Sequence, residues 1–279
     1  MKIHFYGVRG SIATPGRDTA EFGGNTSCVF VEMRDGSQVV LDAGTGVRPL
    51  GDRLVSVDKP IHLLLSHTHW DHIQGFPFFK PAYQTQRDIF LYPPQVGSEE
   101  SMNALLSQMD GVNFPVLADQ LPGNIICVID YQNEFFMREG IDLKIQGLNH
   151  PGGGHAFRIS EHGSTLAYVT DNELDPPGKP GTTYDEWVKF CHGADILIHD
   201  AQYTEDDMPH KHGWGHSLIS QVRQLACDAE VKTLVLFHHD PERTDTQLKE
   251  IQLETDYFFK GKRWPTRAIC AYEGMVLEI

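Results

Sequence analysis

The residues best suited to chemistry in this 279-residue sequence stand together, in the segment His67-Thr68-His69-Trp70-Asp71-His72. The segment follows Ile61–Leu65, an almost unbroken apolar run that predicts a buried strand. If the chain stays extended, His67 and His69 can face one point, while Asp71 and His72 can turn toward a second. Because zinc and similar divalent metals take imidazole and carboxylate ligands, the segment predicts a metal centre.

Further ligands are needed, because four side chains cannot fill two metal sites that each take several protein groups plus water. Three positions follow an apolar stretch and precede turn residues: His150, Asp171 and the pair His238-His239. From the residues alone, each is equally well a polar residue at a strand end, and His238 and His239 remain alternatives. A count of 15 histidines without a low-complexity tract favours metal ligation or acid–base chemistry.

The order of these residues resembles the metallo-β-lactamase superfamily, in which an HxHxDH motif precedes a lone His, a lone Asp and a late His. The resemblance covers nearly the whole chain and implies an α/β fold, a four-layer αββα sandwich with metals at one sheet edge. It implies two divalent ions, with zinc expected and manganese or iron as alternatives. The implied ligands are His67, His69 and His150 for one ion, Asp71, His72 and His238 for the other, and Asp171 as a bridge.

Other stretches narrow the resemblance to one branch of that superfamily. Gly7–Ser11, Gly23–Cys28 and Leu41–Gly46 are similar to the ribonuclease Z and cyclic-nucleotide phosphodiesterase branch. There, the Asp equivalent to Asp42 orients a ligand imidazole, whereas the residues alone favour a simple strand-to-turn exit. β-Lactamases themselves lack the final His of the motif and place a Cys in the second site. Here His72 is present, and none of the five cysteines stands at a matching position.

A second pair of residues concerns the leaving group. Asp200 and His216 resemble the places where the ribonuclease Z branch keeps an acid and a His-Ser pair. The resemblance implies that His216, paired with Asp200, protonates the leaving oxygen. That branch often has Glu where this chain has the shorter Asp200, so the distance to His216 is open. The alternative is a helix capped by Ser217 that carries a surface histidine.

Hydrophobic patterning predicts the elements that position these residues. The predicted strands are Lys2–Tyr6, Cys28–Met33, Gln38–Leu41, Ile61–Leu65, Ile89–Tyr92, Ile125–Ile129, Ile141–Gln146, Ala156–Ser160, Thr165–Val169, Ile196–Ile198, Leu234–Phe237 and Ile269–Glu278. The predicted helices are Ser98–Met109, Tyr184–Cys191, Ser217–Cys227 and Thr246–Phe259. Runs of strands with helices between them indicate two packed sheets with helices outside. Without a linker or repeat, we expect residues 1–279 to form one domain.

Composition indicates which partners to expect. The formal net charge is −15, and so acidic a surface repels phosphate backbones and anionic membranes. The densest basic group, near the end of the chain, is typical of a solvated face; it comprises Lys260, Lys262, Arg263 and Arg267. A basic arm such as ribonuclease Z uses to grip transfer RNA is not evident. We therefore expect a small anionic phosphodiester as partner, without an extensive nucleic-acid footprint or a membrane; the oligomeric state is open, a homodimer included.

The predicted function is a dinuclear metal-dependent hydrolase, a phosphodiesterase acting on a small or cyclic nucleotide. Two ions would share a bridging hydroxide as nucleophile, which Asp71 would orient. The alternatives are a thioester or lactone hydrolase of the same fold, and a non-enzymatic metal-binding regulatory module; the complete ligand set disfavours the module. Reduced cysteines, with neither a signal-peptide pattern nor an apolar run of transmembrane length, predict a cytoplasmic protein.

Overall fold

The structure, a computed structural model, describes residues 1–94, 99–128, 136 and 140–279, with the backbone alone for 99–102. Within them the strands are β1 (Lys2–Gly7), β2 (Cys28–Glu32), β3 (Gln38–Leu41), β4 (Ile61–Leu64), β5 (Asp88–Tyr92), β6 (Asn124–Cys127), β7 (Ile141–Gly147), β8 (His155–Glu161), β9 (Ser164–Val169), β10 (Ile196–Asp200), β11 (Thr233–Phe237), β12 (Arg267–Cys270) and β13 (Val276–Glu278). The α-helices are α1 (Val47–Leu54), α2 (Trp70–Ile73), α3 (Glu99–Leu106), α4 (Tyr184–Cys191), α5 (Ile219–Asp228) and α6 (Asp245–Gly261). Short 3-10 helices cover Arg17–Thr19, Phe76–Phe78, Lys80–Tyr83, Ala118–Gln120 and Glu205–Asp207.

The strands form two mixed sheets. The first sheet has the order β13-β1-β2-β3-β4-β5-β6, and the second has the order β12-β11-β10-β9-β8-β7. Strands β3 to β6 are mutually parallel, and so are β9 to β12. Neighbouring parallel strands end at the same sheet edge, which is where open α/β sheets bind ligands.

Alternate residues of each strand face different layers, as the strand period requires. In β2, Val31 packs between the sheets, whereas Phe30 faces the helices. In β10, Ile198 packs between the sheets, whereas Leu197 faces the helices on the other side. Helices α1 and α3 contribute to the outer cluster of the first sheet, and α4 to α6 to that of the second. The predicted four-layer αββα sandwich is confirmed.

Several local predictions differ from the structure. The sequence pattern missed α1, because Pro49 and Gly51 argue against a helix, although proline is tolerated in a first helical turn. The predicted strand Ile269–Glu278 is two strands in different sheets, β12 and β13, separated by a turn in which Gly274 has a φ of 84°. Two ends of predicted elements, Ser98 and Ile129, lie outside the described residues.

The prediction that Ser217 caps α5 is also wrong. Its hydroxyl donates to the carbonyl of Asn172 at 2.5 Å and accepts from the backbone N–H of Leu174 at 3.2 Å. The side chain therefore ties the start of α5 to the segment after β9. In the described part of the chain, no helix is long and apolar enough to cross a membrane.

Candidate metal centre

The ends of several strands bring the predicted ligands to one cleft. Residues 67–72 follow β4 of the first sheet and lead into α2, whereas the other predicted ligands come from the second sheet. Asp171 follows β9, His238 follows β11, and His150 lies in the connection between β7 and β8. Because β9 and β11 both run parallel to β10, Asp171 and His238 leave the sheet at the same edge.

Among the described residues, four groups have potential ligand atoms that lie within 4.8 Å of one another. Two of these include His216, with His150 and Asp171 in one and with Asp200 and His238 in the other. Two groups consist of predicted ligands alone. These two groups are His67, His69 and His150, and Asp71, His72, Asp171 and His238. Asp171 reaches both. Its Oδ1 lies 3.1 Å from Nε2 of His72 and 3.1 Å from Nε2 of His238, while its Oδ2 lies 3.6 Å from Nε2 of His67. The carboxylate thus stands where a bridging ligand would stand.

Fixed acceptors determine which nitrogen of several imidazoles carries the hydrogen. Three rings donate from Nδ1: His72 to Asp42 Oδ2 at 2.9 Å, His238 to Gln202 Oε1 at 3.0 Å, and His150 to the carbonyl of Gly215 at 3.0 Å. A neutral ring that donates from Nδ1 keeps a bare electron pair on Nε2. Each of these rings can therefore act as a ligand through Nε2.

The bare nitrogens lie close to other imidazole nitrogens. Nε2 of His72 is 3.3 Å from Nε2 of His238, and Nε2 of His150 is 3.0 Å from Nδ1 of His69. Nε2 of His67 is buried and finds no hydrogen-bond partner among the described residues. Electron pairs held this close repel each other unless a cation or a proton lies between them. Imidazoles and carboxylates around such gaps fit divalent metal ions.

Burial and neighbouring charges keep Asp71, Asp171 and His67 in the ionisation states that ligands need. Burial alone would lower the pKa of His72, but the charges of Asp171 and Asp71 raise it well above its usual value, so a metal ion would displace a proton from this ring. Burial lowers the pKa of His67 well below its usual value, and His72 lowers it further. Burial alone would raise the pKa of Asp171, but the charges of His238 and His72 outweigh it and hold that pKa well below its usual range. Asp71 is likewise buried, and His72 and His238 hold its pKa low. The carboxylates are thus ionised and the His67 imidazole is neutral, as metal ligation requires.

His216 lies beside this cluster. Its Nδ1 donates to Asp200 Oδ2 at 2.8 Å, so the shorter acid reaches the ring. The ring stacks on His238 with centroids 5.1 Å apart. Burial would lower the pKa of His216, but the charge and hydrogen bond of Asp200 prevail and raise it to about 9. His216 is only 7% exposed, so the alternative of a surface histidine is wrong.

The backbone is strained where the cleft is built. Four residues there adopt left-handed conformations with φ between 46° and 63°: Ser11, Asp42, Asp171 and His238. Residues other than glycine rarely adopt this region, and such strain concentrates at functional sites. His238 directly follows β11, and Asp171 is the second residue after β9. At both residues the left-handed backbone directs the side chain into the cleft.

The structure shows which of His238 and His239 joins the cluster, and it shows what Asp42 contacts. Nε2 of His239 donates to the carbonyl of Ala271 at 2.9 Å, and burial lowers the pKa of His239 to about 3. His238, in contrast, joins the cluster. Asp42 is fully buried and bonded to His72, so the simple strand-to-turn interpretation is wrong and the role implied by the resemblance fits.

Sequence reasoning missed the polar residues that support the cluster. The N–H of Ser11 donates to Asp71 Oδ2 at 2.7 Å, and Gln202 donates to the Ser11 hydroxyl at 3.3 Å. The hydroxyl of Tyr168 donates to Asp42 Oδ2 at 2.7 Å. No sequence signal could have found Gln202 or Tyr168, since each is an isolated residue brought in by the pairing of distant strands.

Comparison with known proteins adds the family. Residues 37–239 match the family described as the β-lactamase superfamily domain. The chain belongs to the β-lactamase superfamily. Ribonuclease Z of Halalkalibacterium halodurans is 23% identical over 277 residues, covering 85% of this chain and 87% of that protein. Ribonuclease Z of Streptococcus gordonii is 27% identical over 282 residues, covering 85% and 89%. The crystal structure of human tRNase Z, short form, has a TM-score of 0.64 at 23% identity and covers 100% of this chain and 99% of that one.

These similarities confirm the predicted metallo-β-lactamase superfamily and its ribonuclease Z branch. This β-lactamase superfamily member is an enzyme, a metal-dependent hydrolase. The alternative of a non-enzymatic metal-binding module is therefore wrong.

The prediction of a small-molecule partner without an extensive nucleic-acid footprint is wrong. The relatives of this superfamily member are named as ribonucleases, and their substrate is nucleic acid. The prediction failed because the net charge of −15 sums the entire chain, whereas a substrate meets only the surface around the cleft. That surface exposes Trp70, which is 80% accessible and stands between two predicted ligands in the chain.

The basic group near the end of the chain lies away from the cleft. Arg267 begins β12 and pairs with Thr233, the first residue of the parallel strand β11. His238 follows the opposite end of β11. The basic group therefore lies at the sheet edge away from the metal centre.

Proposed function

We propose that the protein is a ribonuclease that uses two divalent ions to hydrolyse phosphodiester bonds in RNA. Zinc is the expected metal, and transfer RNA precursors are the substrate class. The similarity to ribonuclease Z over 85% of the chain supports the proposal. The observation that carries it is the buried His216–Asp200 pair beside two groups of potential ligands. A ribose oxygen is a poor leaving group, and its departure needs such a proton donor.

The two groups of ligands divide the metals. His67, His69 and His150 would hold one ion, Asp71, His72 and His238 would hold the other, and Asp171 would contact both. When bound, such ions supply an activated water and neutralise charge on the phosphoryl oxygens.

Asp71 would orient the attacking water. Its Oδ2 is held by the N–H of Ser11 at 2.7 Å and lies 3.1 Å from Nε2 of His238. A carboxylate fixed on one oxygen can present the other in a defined direction. Asp71 and His216 line the same cavity in the cleft, so both groups face the space in which a phosphodiester would lie.

His216 would protonate the leaving oxygen. Asp200 engages Nδ1, which leaves Nε2 as the nitrogen that can serve the substrate. The buried carboxylate also stabilises the charged ring before the proton is transferred. Backbone N–H groups of Asn172 and Gln202 donate to Asp200 at 3.2 Å and 3.0 Å and fix its position.

The proposal also covers the domain organisation and the cellular location. Both sheets contribute to the site, which supports a single hydrolase domain over residues 1–279. Cys28, Cys191, Cys227 and Cys270 are free, in keeping with a cytoplasmic enzyme, because cytosolic thiols stay reduced.

A substrate panel tests the proposal. The zinc- and manganese-loaded protein and its chelated form would be incubated with precursor transfer RNA, unstructured RNA, a bis-aryl phosphodiester, a thioester, a lactone and a β-lactam. We expect metal-dependent cleavage of the RNA substrates and of the aryl diester. Turnover of only the thioester or the lactone would replace the proposal with the other hydrolase reaction of this fold.

A further inference from the structure

Three cavities adjoin along the cleft. The central one, of about 450 Å³, is lined by Asp71, Asp171 and His216. A second, of about 500 Å³, shares Thr68 and Trp70 with the central one. A third, of about 210 Å³, shares His216 with it. The cleft is therefore a groove in which the central cavity borders one cavity through Trp70 and another through His216. A further cavity, of about 50 Å³, shares Thr68 and His69 with the central one.

The 500 Å³ cavity differs in character from the central one. Its walls include the aromatic rings of Trp70, Phe78 and Phe114 and the side-chain amides of Gln74, Gln108 and Asn113. None of the described residues that line it is charged. Its size is within the usual range for a small-ligand site, and apolar walls with a few polar groups are typical of such sites.

The aromatic walls are arranged around open space. Trp70 is 80% exposed and Phe78 is 56% exposed. The rings of Phe78 and Phe114 meet edge to face with centroids 5.3 Å apart, which braces the exposed face of Phe78. Exposed aromatic rings beside amide groups suit an unpaired nucleobase, which stacks by its face and hydrogen-bonds by its edge.

The position of His216 gives the groove a direction. His216 lines both the central cavity and the 210 Å³ cavity, so the oxygen that it protonates departs toward that end. The nucleotide that keeps the phosphoryl group then extends toward the opposite end, past Trp70.

We propose that the cavity formed by Trp70, Phe78 and Phe114 binds the base of the nucleotide that retains the phosphoryl group after cleavage. The proposal rests on the ribonuclease function proposed above and specifies a subsite for it. Bound there, the base would place the phosphodiester over the metal centre. Binding of this kind acts on substrate affinity more than on the chemical step.

The test uses short RNA substrates cut by the metal-loaded enzyme at one bond, with an abasic residue on either side of that bond. For the wild type, loss of the base on the phosphate-retaining side should lower kcat/KM about tenfold, within the range for one base–aromatic stack, mainly through KM. Loss of the base on the leaving side should have a smaller effect. Phe78→Ala should lower kcat/KM on intact RNA by a similar factor and add little to the abasic loss. Tyr257→Ala, which removes a 70% exposed ring from α6, is the matched control and should behave as wild type.

The outcomes separate the two proposals. If the wild type cuts intact and abasic RNA equally well, the base subsite is wrong while the ribonuclease function stands. The same holds if Phe78→Ala, folded and with wild-type metal content, slows both substrates equally. If the wild type turns over the aryl diester but cuts no RNA, the ribonuclease function is wrong and the base subsite falls with it. The abasic comparison needs no variant, so misfolding of Phe78→Ala cannot decide the result.

Discussion

The two sheets build the metal centre in different ways. The first sheet supplies contiguous ligands, because residues 67–72 form one segment that follows β4 and continues into α2. The second supplies side chains that lie far apart in the sequence: Asp171 and His238 follow parallel strands, and His150 lies in the connection between the antiparallel strands β7 and β8. A hydrogen-bond network around Asp42 supports the first half, whereas left-handed backbone turns at Asp171 and His238 direct the second. Local spacing thus encodes one half of the site, and sheet topology encodes the other.

The largest expected effect is that of the residue that joins the two halves. Asp171→Ala removes the carboxylate that lies near both groups of ligands. We expect metal-dependent hydrolysis of an aryl phosphodiester to fall to background and metal content to fall with it. Asp142→Ala, which removes an exposed carboxylate from β7 of the same sheet, is the matched control and should keep both. Normal turnover by Asp171→Ala would contradict the shared role.

A smaller and more selective loss is expected at His216, which acts from the second sheet. General acid catalysis contributes about 10²–10⁴-fold, so His216→Ala should slow RNA cleavage by roughly that factor. A nitrophenolate leaves without a proton, so an activated aryl diester should be affected much less. Asp200→Ala should show the same selectivity more weakly. Equal loss on both substrates together with loss of metal would make His216 a ligand or a structural residue.

The network in the first sheet should affect metal affinity rather than the chemical step. Asp42 accepts hydrogen bonds from His72, Tyr168 and Ser66. Loss of such a partner costs about 10–100-fold in metal affinity, which we expect for Asp42→Asn in a chelator competition. Tyr168→Phe removes only one of these bonds and should cost less. An unchanged affinity in Asp42→Asn would show that Asp42 does not orient the imidazole.

The smallest expected effect comes from alanine substitutions at two glycines, which distinguish backbone strain from displacement of a metal ligand. Gly215 and Gly163 have nearly equal φ values, 88° and 85°, but a Cβ on Gly215 would collide with His150, whereas one on Gly163 meets nothing within 4 Å. Each substitution by alanine should lower the free energy of unfolding of the metal-free protein by about 1–2 kcal/mol from strain alone. Only Gly215→Ala should also weaken metal binding. Equal metal affinity in the two variants would show that a Cβ at position 215 does not displace His150 as a ligand.

The same contrast explains what the sequence could predict. The order of the layers could be predicted from the succession of predicted strands and from the apolar faces of the predicted helices. Residues 67–72 could be identified because the whole motif lies within six consecutive residues. His150, Asp171 and His238 were found as polar residues that follow apolar stretches. Only their order along the chain joined them to residues 67–72, since nothing local does. Gln202 and Tyr168 were missed because strand pairing alone brings them to the site. The prediction of a small-molecule partner was wrong because the net charge of the whole chain does not describe the surface of a cleft.

The central claim is that the two halves together hold two divalent ions. Elemental analysis of the reconstituted protein, desalted and compared with a chelated sample, tests it most directly. The account predicts close to two ions per chain in the wild type, and about one when His69 and His150 are both replaced by alanine. A wild type that holds one ion or none after reconstitution would contradict it.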